Sequence, residues 1–182
     1  MVDYTLKEII SAKDIQNRVK ELARDIEEDY RNREVSEVIF VGILKGAFIF
    51  LADLLRNLNL PAKVDFMRIS TYGLNTVSSE EIKITKDIEL DIRDKHVLLV
   101  EDIVDTGYSL KWVVDYLLTK KPASLKVCVF IDKKERRRCA VEVDYVGFTV
   151  EQGFLVGYGL DYSEKYRHLP GIYEVCFSGV RT

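Results

Sequence analysis

Between positions 101 and 109 the chain gathers residues able to handle a charged, sugar-bearing ligand: Glu101, Asp102, Asp105, Thr106, Gly107, Tyr108 and Ser109. Two adjacent carboxylates repel phosphate, but they suit a hard cation such as Mg²⁺ or the hydroxyls of a sugar. Thr106 and Ser109 supply hydroxyl donors, and Gly107 lets the backbone curl close to a phosphate. Asp105 is placed to exchange a proton with a bound group or to cap a helix.

These residues need a strand before them and a helix after them. Val97, Leu98, Leu99 and Val100 form a short apolar run that ends at Glu101, as in a strand buried on both faces of a parallel sheet. Leu110, Val113, Val114 and Leu117 recur at helical spacing. The acids and the T-G-Y-S turn therefore fall at the carboxyl end of a strand and the amino end of a helix. Ligands bind there in open α/β sheets, and the unpaired N–H groups of the first helical turn attract anions.

The remaining elements read as an α/β chain. Ser11 with Asp14 opens a helix whose residues Ile15, Val19, Leu22, Ala23, Ile26 and Tyr30 share one face, to about Asn32. Glu37–Ile43 reads as a central strand, Leu44-Lys45-Gly46 as a turn, Ala47–Arg56 as a helix and Lys63–Ser70 as the next strand. Thr71–Glu81 is polar and reads as a loop, Ile82–Ile92 as short returning strands, and Leu125–Ile131 and Asp144–Val150 as further strands. The alternation predicts a mostly parallel, doubly wound sheet in a single domain, 1–182.

With 182 residues, 47% apolar and 31% charged, the composition is that of a globular protein. A net charge of −3 gives no reason to expect nucleic-acid binding, and no apolar run approaches the length of a membrane span. The three cysteines lack metal-site spacing, which fits free thiols in a reducing cytoplasm.

The run V-E-D-I-V-D-T-G-Y-S-L, residues 100–110, resembles the phosphoribosyl pyrophosphate (PRPP) signature of type I phosphoribosyltransferases. Three further stretches resemble the hypoxanthine-guanine branch: G-I-L-K-G at 42–46, I-D-K-K-E-R-R at 131–137, and F-L-V-G-Y-G-L-D-Y at 154–162 followed by Y-R-H-L-P at 166–170. The resemblance implies a twisted sheet flanked by helices, a small hood built from the chain ends, and a mobile lid over Thr71–Glu81. The implied reaction moves phosphoribose from PRPP to an imidazole-ring nitrogen of a 6-oxopurine and releases pyrophosphate.

The same resemblance distributes roles. Asp105 would be the general acid/base. Glu101 and Asp102 would contact the ribose hydroxyls and Mg²⁺, with Asp161 at a second metal site beside the pyrophosphate and near the purine. The 5′-phosphate would sit on Asp105, Thr106, Gly107, Tyr108 and Ser109. Lys45, Gly46 and Arg167 would hold the pyrophosphate, with a cis peptide implied before Lys45 that no residue pattern predicts. Thr71 and Tyr72 would cover PRPP and exclude water. Lys133 would donate to the 6-oxo group, Phe154 would stack on the purine, and the Leu155 carbonyl would accept from the amino group of guanine. Dimers or tetramers are expected.

Two other readings compete. One is a regulator that senses PRPP while binding RNA or DNA, which would call for a basic face or an added domain. The other is adenine or orotate transfer, disfavoured by Lys133 and the 154–162 match.

Overall fold

The computed structural model describes residues 4–72 and 81–177. In chain order these form β1 (Tyr4–Ile10), α1 (Ala12–Asn32), β2 (Val38–Ile43), α2 (Phe48–Arg56), β3 (Ala62–Tyr72), β4 (Glu81–Lys86), β5 (His96–Val104), α3 (Tyr108–Thr119), β6 (Ser124–Lys133), β7 (Tyr145–Val150), β8 (Leu155–Val156) and β9 (Ile172–Phe177).

The main sheet has six strands in the order β4-β3-β2-β5-β6-β7. Neighbours from β3 to β7 pair in parallel, and β4 runs antiparallel at the edge. β2 lies at the centre and is buried at every position, which explains its unbroken apolar sequence VIFVGI. One face is covered by α1 and α2, whose Ile15, Leu22, Ile26, Phe50 and Leu54 pack against Phe40, Leu98 and Phe130. The other is covered by α3 through Leu110, Val113 and Leu117, against Val41, Leu99 and Val129. Alternate residues of each strand thus serve two cores.

α1 starts where the Ser11–Asp14 pair predicts: the Ser11 hydroxyl accepts from the Asp14 N–H at 3.2 Å. Its predicted apolar face is its buried face, and the helix ends at Asn32.

Two expectations are corrected. β5 does not stop at Val100 but continues through Glu101 and Asp102 to Val104, because β6 goes on pairing with it: Glu101 meets Val129 and Val104 meets Asp132. Ile82–Ile92 does not form several short strands. Only Glu81–Lys86 is a strand; beyond it the backbone N–H groups of Glu89 and Leu90 are taken by the Asp65 carboxylate at 2.6 and 2.8 Å rather than by a neighbouring strand.

A second sheet of three strands, β1-β9-β8, joins the two ends of the described chain. β1 and β9 are antiparallel, Tyr4 opposite Phe177. This is the hood. It is secured by the Tyr4–Tyr166 hydroxyl contact at 2.5 Å and by edge-to-face packing among Tyr4, Phe154, Tyr162 and Phe177. Within the expected lid, residues 73–80 lie outside the described residues. Thr71 and Tyr72 end β3, opposite Ile82 and Glu81 of β4.

Candidate active site

The end of β5 and the start of α3 frame a cleft of about 290 Å³, lined by Glu101, Asp102, Asp105, Thr106, Gly107 and Ser109. Gly107 is the N-cap of α3 with φ +90°, and the helix start receives no side-chain cap. Asp105 therefore does not cap the helix. A left-handed residue at this position favours glycine, and packing requires one as well. A Cβ at 107 would lie 2.5 Å from the Cys139 carbonyl oxygen.

That contact belongs to a brace that sequence reasoning missed. The Thr106 carbonyl accepts from the N–H groups of Arg138 and Cys139 at 2.9 and 3.0 Å. The Arg137 guanidinium donates to the Asp105 carbonyl at 3.1 Å and pairs with Asp132. The segment after β6 thus holds the carbonyl side of the turn. The turn's N–H groups and hydroxyls are left to the cleft. Only the I-D-K-K-E-R-R run hints at this; nothing in it says which arginine reaches back.

Asp105 itself is poorly satisfied. Its Oδ1 is buried without a hydrogen-bond partner, and its Oδ2 lies 3.4 Å from the exposed Arg136 guanidinium. A buried unpaired carboxylate oxygen is costly in a finished core and useful beside a ligand that will donate to it. Lys133 ends the neighbouring strand. Asp132, just before it, is paired with Val104, just before Asp105. Lys133 is 8% exposed, and its ammonium lies 3.6 Å from Glu135. The pairing of β5 with β6 thus brings the backbones of Asp105 and Lys133 to the same end of the sheet, while the ammonium itself faces Glu135.

Glu101 and Asp102 are side by side near the strand end. Burial, followed by the hydrogen bond and negative charge of Asp102, pushes the Glu101 carboxyl well above the usual carboxylate range. A cation brought to this pair would favour its ionised form. Asp102 also touches the next loop. A Cβ on Gly46 would overlap its carboxylate, so only glycine lets the two approach. The peptide before it, Leu44–Lys45, is cis.

Lys45 reaches the opposite side, where its ammonium lies 2.9 Å from Glu164. Arg167 donates to the Gly159 carbonyl at 2.7 Å, pairs with Asp161 at 2.7 Å, and lies 3.4 Å from the same Glu164 oxygen. Asp161 is spent on both oxygens, because the second accepts from the Glu164 N–H at 2.8 Å. It does not join Glu101 and Asp102. Among the described residues no group of three or more His, Cys, Asp or Glu side chains is placed to hold a metal.

In the hood, Phe154 leaves 45% of its surface exposed although Tyr162 and Phe177 pack on it. Leu155 is buried in β8, opposite Glu174. Tyr108 is half exposed at the first position of α3, so what it offers the cleft is backbone. The structure thus forms two groups. Asp105, Thr106, Gly107, Ser109 and, next to them, Lys133 are one; Lys45, Gly46, Asp161 and Arg167 are the other, joined to the first where Gly46 meets Asp102.

A family model described as the phosphoribosyl transferase domain matches residues 6–163. The hypoxanthine-guanine phosphoribosyltransferase of Aquifex aeolicus is 54% identical over 170 residues, 93% of this chain and 94% of that protein. The hypoxanthine phosphoribosyltransferase of Haemophilus influenzae is 43% identical, over 92% of this chain and 93% of that protein. Among solved structures, the hypoxanthine-guanine phosphoribosyltransferase of Bacillus anthracis matches with a TM-score of 0.86 at 40% identity, covering 95% of this chain and 99% of that one. That of the Trypanosoma cruzi hypoxanthine phosphoribosyltransferase matches with a TM-score of 0.89 at 37% identity, covering 96% and 93%. The chain belongs to the hypoxanthine-guanine phosphoribosyltransferase family.

Proposed function

We propose that this phosphoribosyltransferase moves 5-phosphoribose from PRPP to a 6-oxopurine in purine salvage, forming IMP from hypoxanthine or GMP from guanine, with pyrophosphate released. The observation that carries this reading is the buried, unpartnered oxygen of Asp105, in the cleft at the anion-attracting start of α3.

In the reaction the bond from the ribose anomeric carbon to the pyrophosphate oxygen breaks. A bond from that carbon to the purine imidazole nitrogen forms, and the proton displaced from the imidazole ring passes to Asp105. The turn from Asp105 to Ser109, with the Thr106 and Ser109 hydroxyls, binds the 5′-phosphate through N–H groups at the positive end of α3. Glu101 and Asp102 take the ribose hydroxyls and would hold Mg²⁺, with Asp161 at a second metal site beside the pyrophosphate; the metal would offset the negative charge of that leaving group. Lys45, Gly46 and Arg167 bind that pyrophosphate, Arg167 through a planar donor fork.

On the base, Lys133 donates to the 6-oxo group, which an adenine amino group cannot accept. Phe154 presents its exposed ring to the purine face and the Leu155 carbonyl accepts from guanine. Thr71 and Tyr72 belong to the cover over PRPP. Supporting a site in the cytoplasm are the three free cysteines and the absence, among the described residues, of a helix long and apolar enough to cross a membrane. A dimer or tetramer completes the reading.

The test is a panel of hypoxanthine, guanine, xanthine, adenine and orotate with PRPP and Mg²⁺, following nucleotide formation by absorbance. Turnover of 6-oxopurines with adenine and orotate inert is the expected result; efficient use of adenine or orotate would overturn the reading.

A further inference from the structure

Glu164 has no part in the proposed chemistry, yet it stands among the groups that do. One of its carboxylate oxygens lies 2.9 Å from the Lys45 ammonium and 3.4 Å from the Arg167 guanidinium. It is held there from below by the bond from its own N–H to Asp161 and by a left-handed turn, with φ of 51° at Ser163 and 62° at Glu164. The side chain is 64% exposed, at the mouth of a cleft of about 550 Å³ that Arg167, Tyr166 and Phe48 also line. The Lys45 hydrogen bond and charge hold its carboxyl below the usual range even though burial works the other way, with Arg167 adding to the effect.

We propose that Glu164 is an internal anion that occupies the Lys45–Arg167 pair in the free enzyme, must leave for pyrophosphate to bind, and thereby selects PRPP over singly charged phosphates. The inference rests on the pyrophosphate reading of Lys45 and Arg167. With Glu164 and Asp161 in place, the two cations face two carboxylates and the cluster is neutral. An incoming phosphate gains little from a neutral cluster. Once Glu164 turns away into solvent the cluster carries net positive charge. Only a ligand with several negative oxygens repays the lost pair. The Arg167 Nε, buried and without a partner among the described residues, is a donor that Glu164 does not reach and a second phosphate oxygen would. When the pyrophosphate leaves, the returning carboxylate competes for the same cations and hastens release.

The effect is modest, because an exposed ion pair contributes little and is easily exchanged for water. Glu164→Gln keeps length and shape and removes the charge. Its affinity for pyrophosphate, measured by calorimetry at fixed Mg²⁺, should rise about two- to fivefold, a change on the scale of one exposed ion pair. KM for PRPP should fall in proportion, while KM for hypoxanthine and the unfolding midpoint stay as in the wild type. Orthophosphate should gain at least as much as pyrophosphate. In a Lys45→Ala background the gain from Glu164→Gln should shrink, because one of the two competed-for cations is gone. Unchanged or weaker pyrophosphate affinity in Glu164→Gln, with Lys45→Ala weakening it, would overturn the proposal alone. If Lys45→Ala also left pyrophosphate affinity intact, the pyrophosphate reading itself would fall and the proposal with it.

Discussion

Two aspartates, one on and one just past the strands flanking β2, treat a buried carboxylate oxygen in opposite ways. Asp65, on β3, is 6% exposed and accepts from the backbone N–H groups of Phe66, Glu89 and Leu90 at 2.7, 2.6 and 2.8 Å, with Lys86 at 3.6 Å. Asp105, just past β5, keeps one buried oxygen with no partner and lends the other to a solvated arginine. Asp65 is spent on the fold: it fixes the chain after β4 where no strand would hold it. Asp105 is left in debt to a ligand. An incomplete set of partners, more than burial, separates the working carboxylate from the structural one.

Exchanging each for asparagine should pull the two apart. Asp105→Asn keeps the shape and one acceptor but cannot take a proton at neutral pH, so single-turnover rates with saturating hypoxanthine should fall by about 10²–10⁴. PRPP binding should survive and the unfolding midpoint should hold or rise. Near wild-type turnover would make Asp105 a positioning residue. Asp65→Asn should do the reverse. It leaves backbone donors facing an amide, a loss of about 1–3 kcal/mol in denaturant unfolding, with turnover per folded molecule preserved. A fall in turnover matching that of Asp105→Asn would erase the distinction.

Lys133→Ala extends the comparison to the partner strand. If the ammonium serves the base, KM for hypoxanthine and guanine should rise by an amount worth about 1–3 kcal/mol while KM for PRPP barely moves. Equal losses for base and PRPP would make it a structural lysine in the manner of Asp65. The smallest effect concerns pH. Burial raises the Asp65 pKa, but the bonds from Leu90, Phe66 and Glu89, with the Lys86 charge, more than reverse this and leave it below the usual value. The unfolded chain then takes up the proton first, near the ordinary aspartate value of about 3.9. The contribution of Asp65 is fully present above that value and is lost as pH falls through the lower, folded one. Stability of the wild type should therefore drop more steeply below pH ~4 than that of Asp65→Asn.

The sequence showed best what is local. The Ser11–Asp14 start of α1, its face through Tyr30, the apolar β2 and the glycine turn before α3 all depend on neighbours a few residues away, and periodicity reports such neighbours directly. It was poorest where the partner is distant. Asp65 reads as an ordinary polar position in a strand, and two of its backbone donors lie 24 and 25 residues on. Glu164 has Arg167 three residues on, but its closer partner, Lys45, is 119 residues away and nothing in the sequence announces that pair. Arg137 lies in a run of three arginines, and only the folded chain decides which one braces Asp105. Extending β5 past its apolar run was hidden for a similar reason: the pairing of β6, and not side-chain character, carries the strand through its acids.

The antiparallel pairing of β1 with β9 has a consequence for how the molecule comes into being on the ribosome. β1 precedes every other described strand and β9 follows them, so β1 waits for all of them to emerge before it can pair. By then β2, β3, β5 and β6 can already have met, and with them the turn at Gly107. The nascent protein passes through a stage in which the phosphate end of its cleft is built and the aromatic platform of Phe154, Tyr162 and Phe177 is not. Until β9 arrives with Phe177, the rings of Tyr4, Phe154 and Tyr162 lack that partner, and the unfinished hood is a part of the chain open to capture by a chaperone.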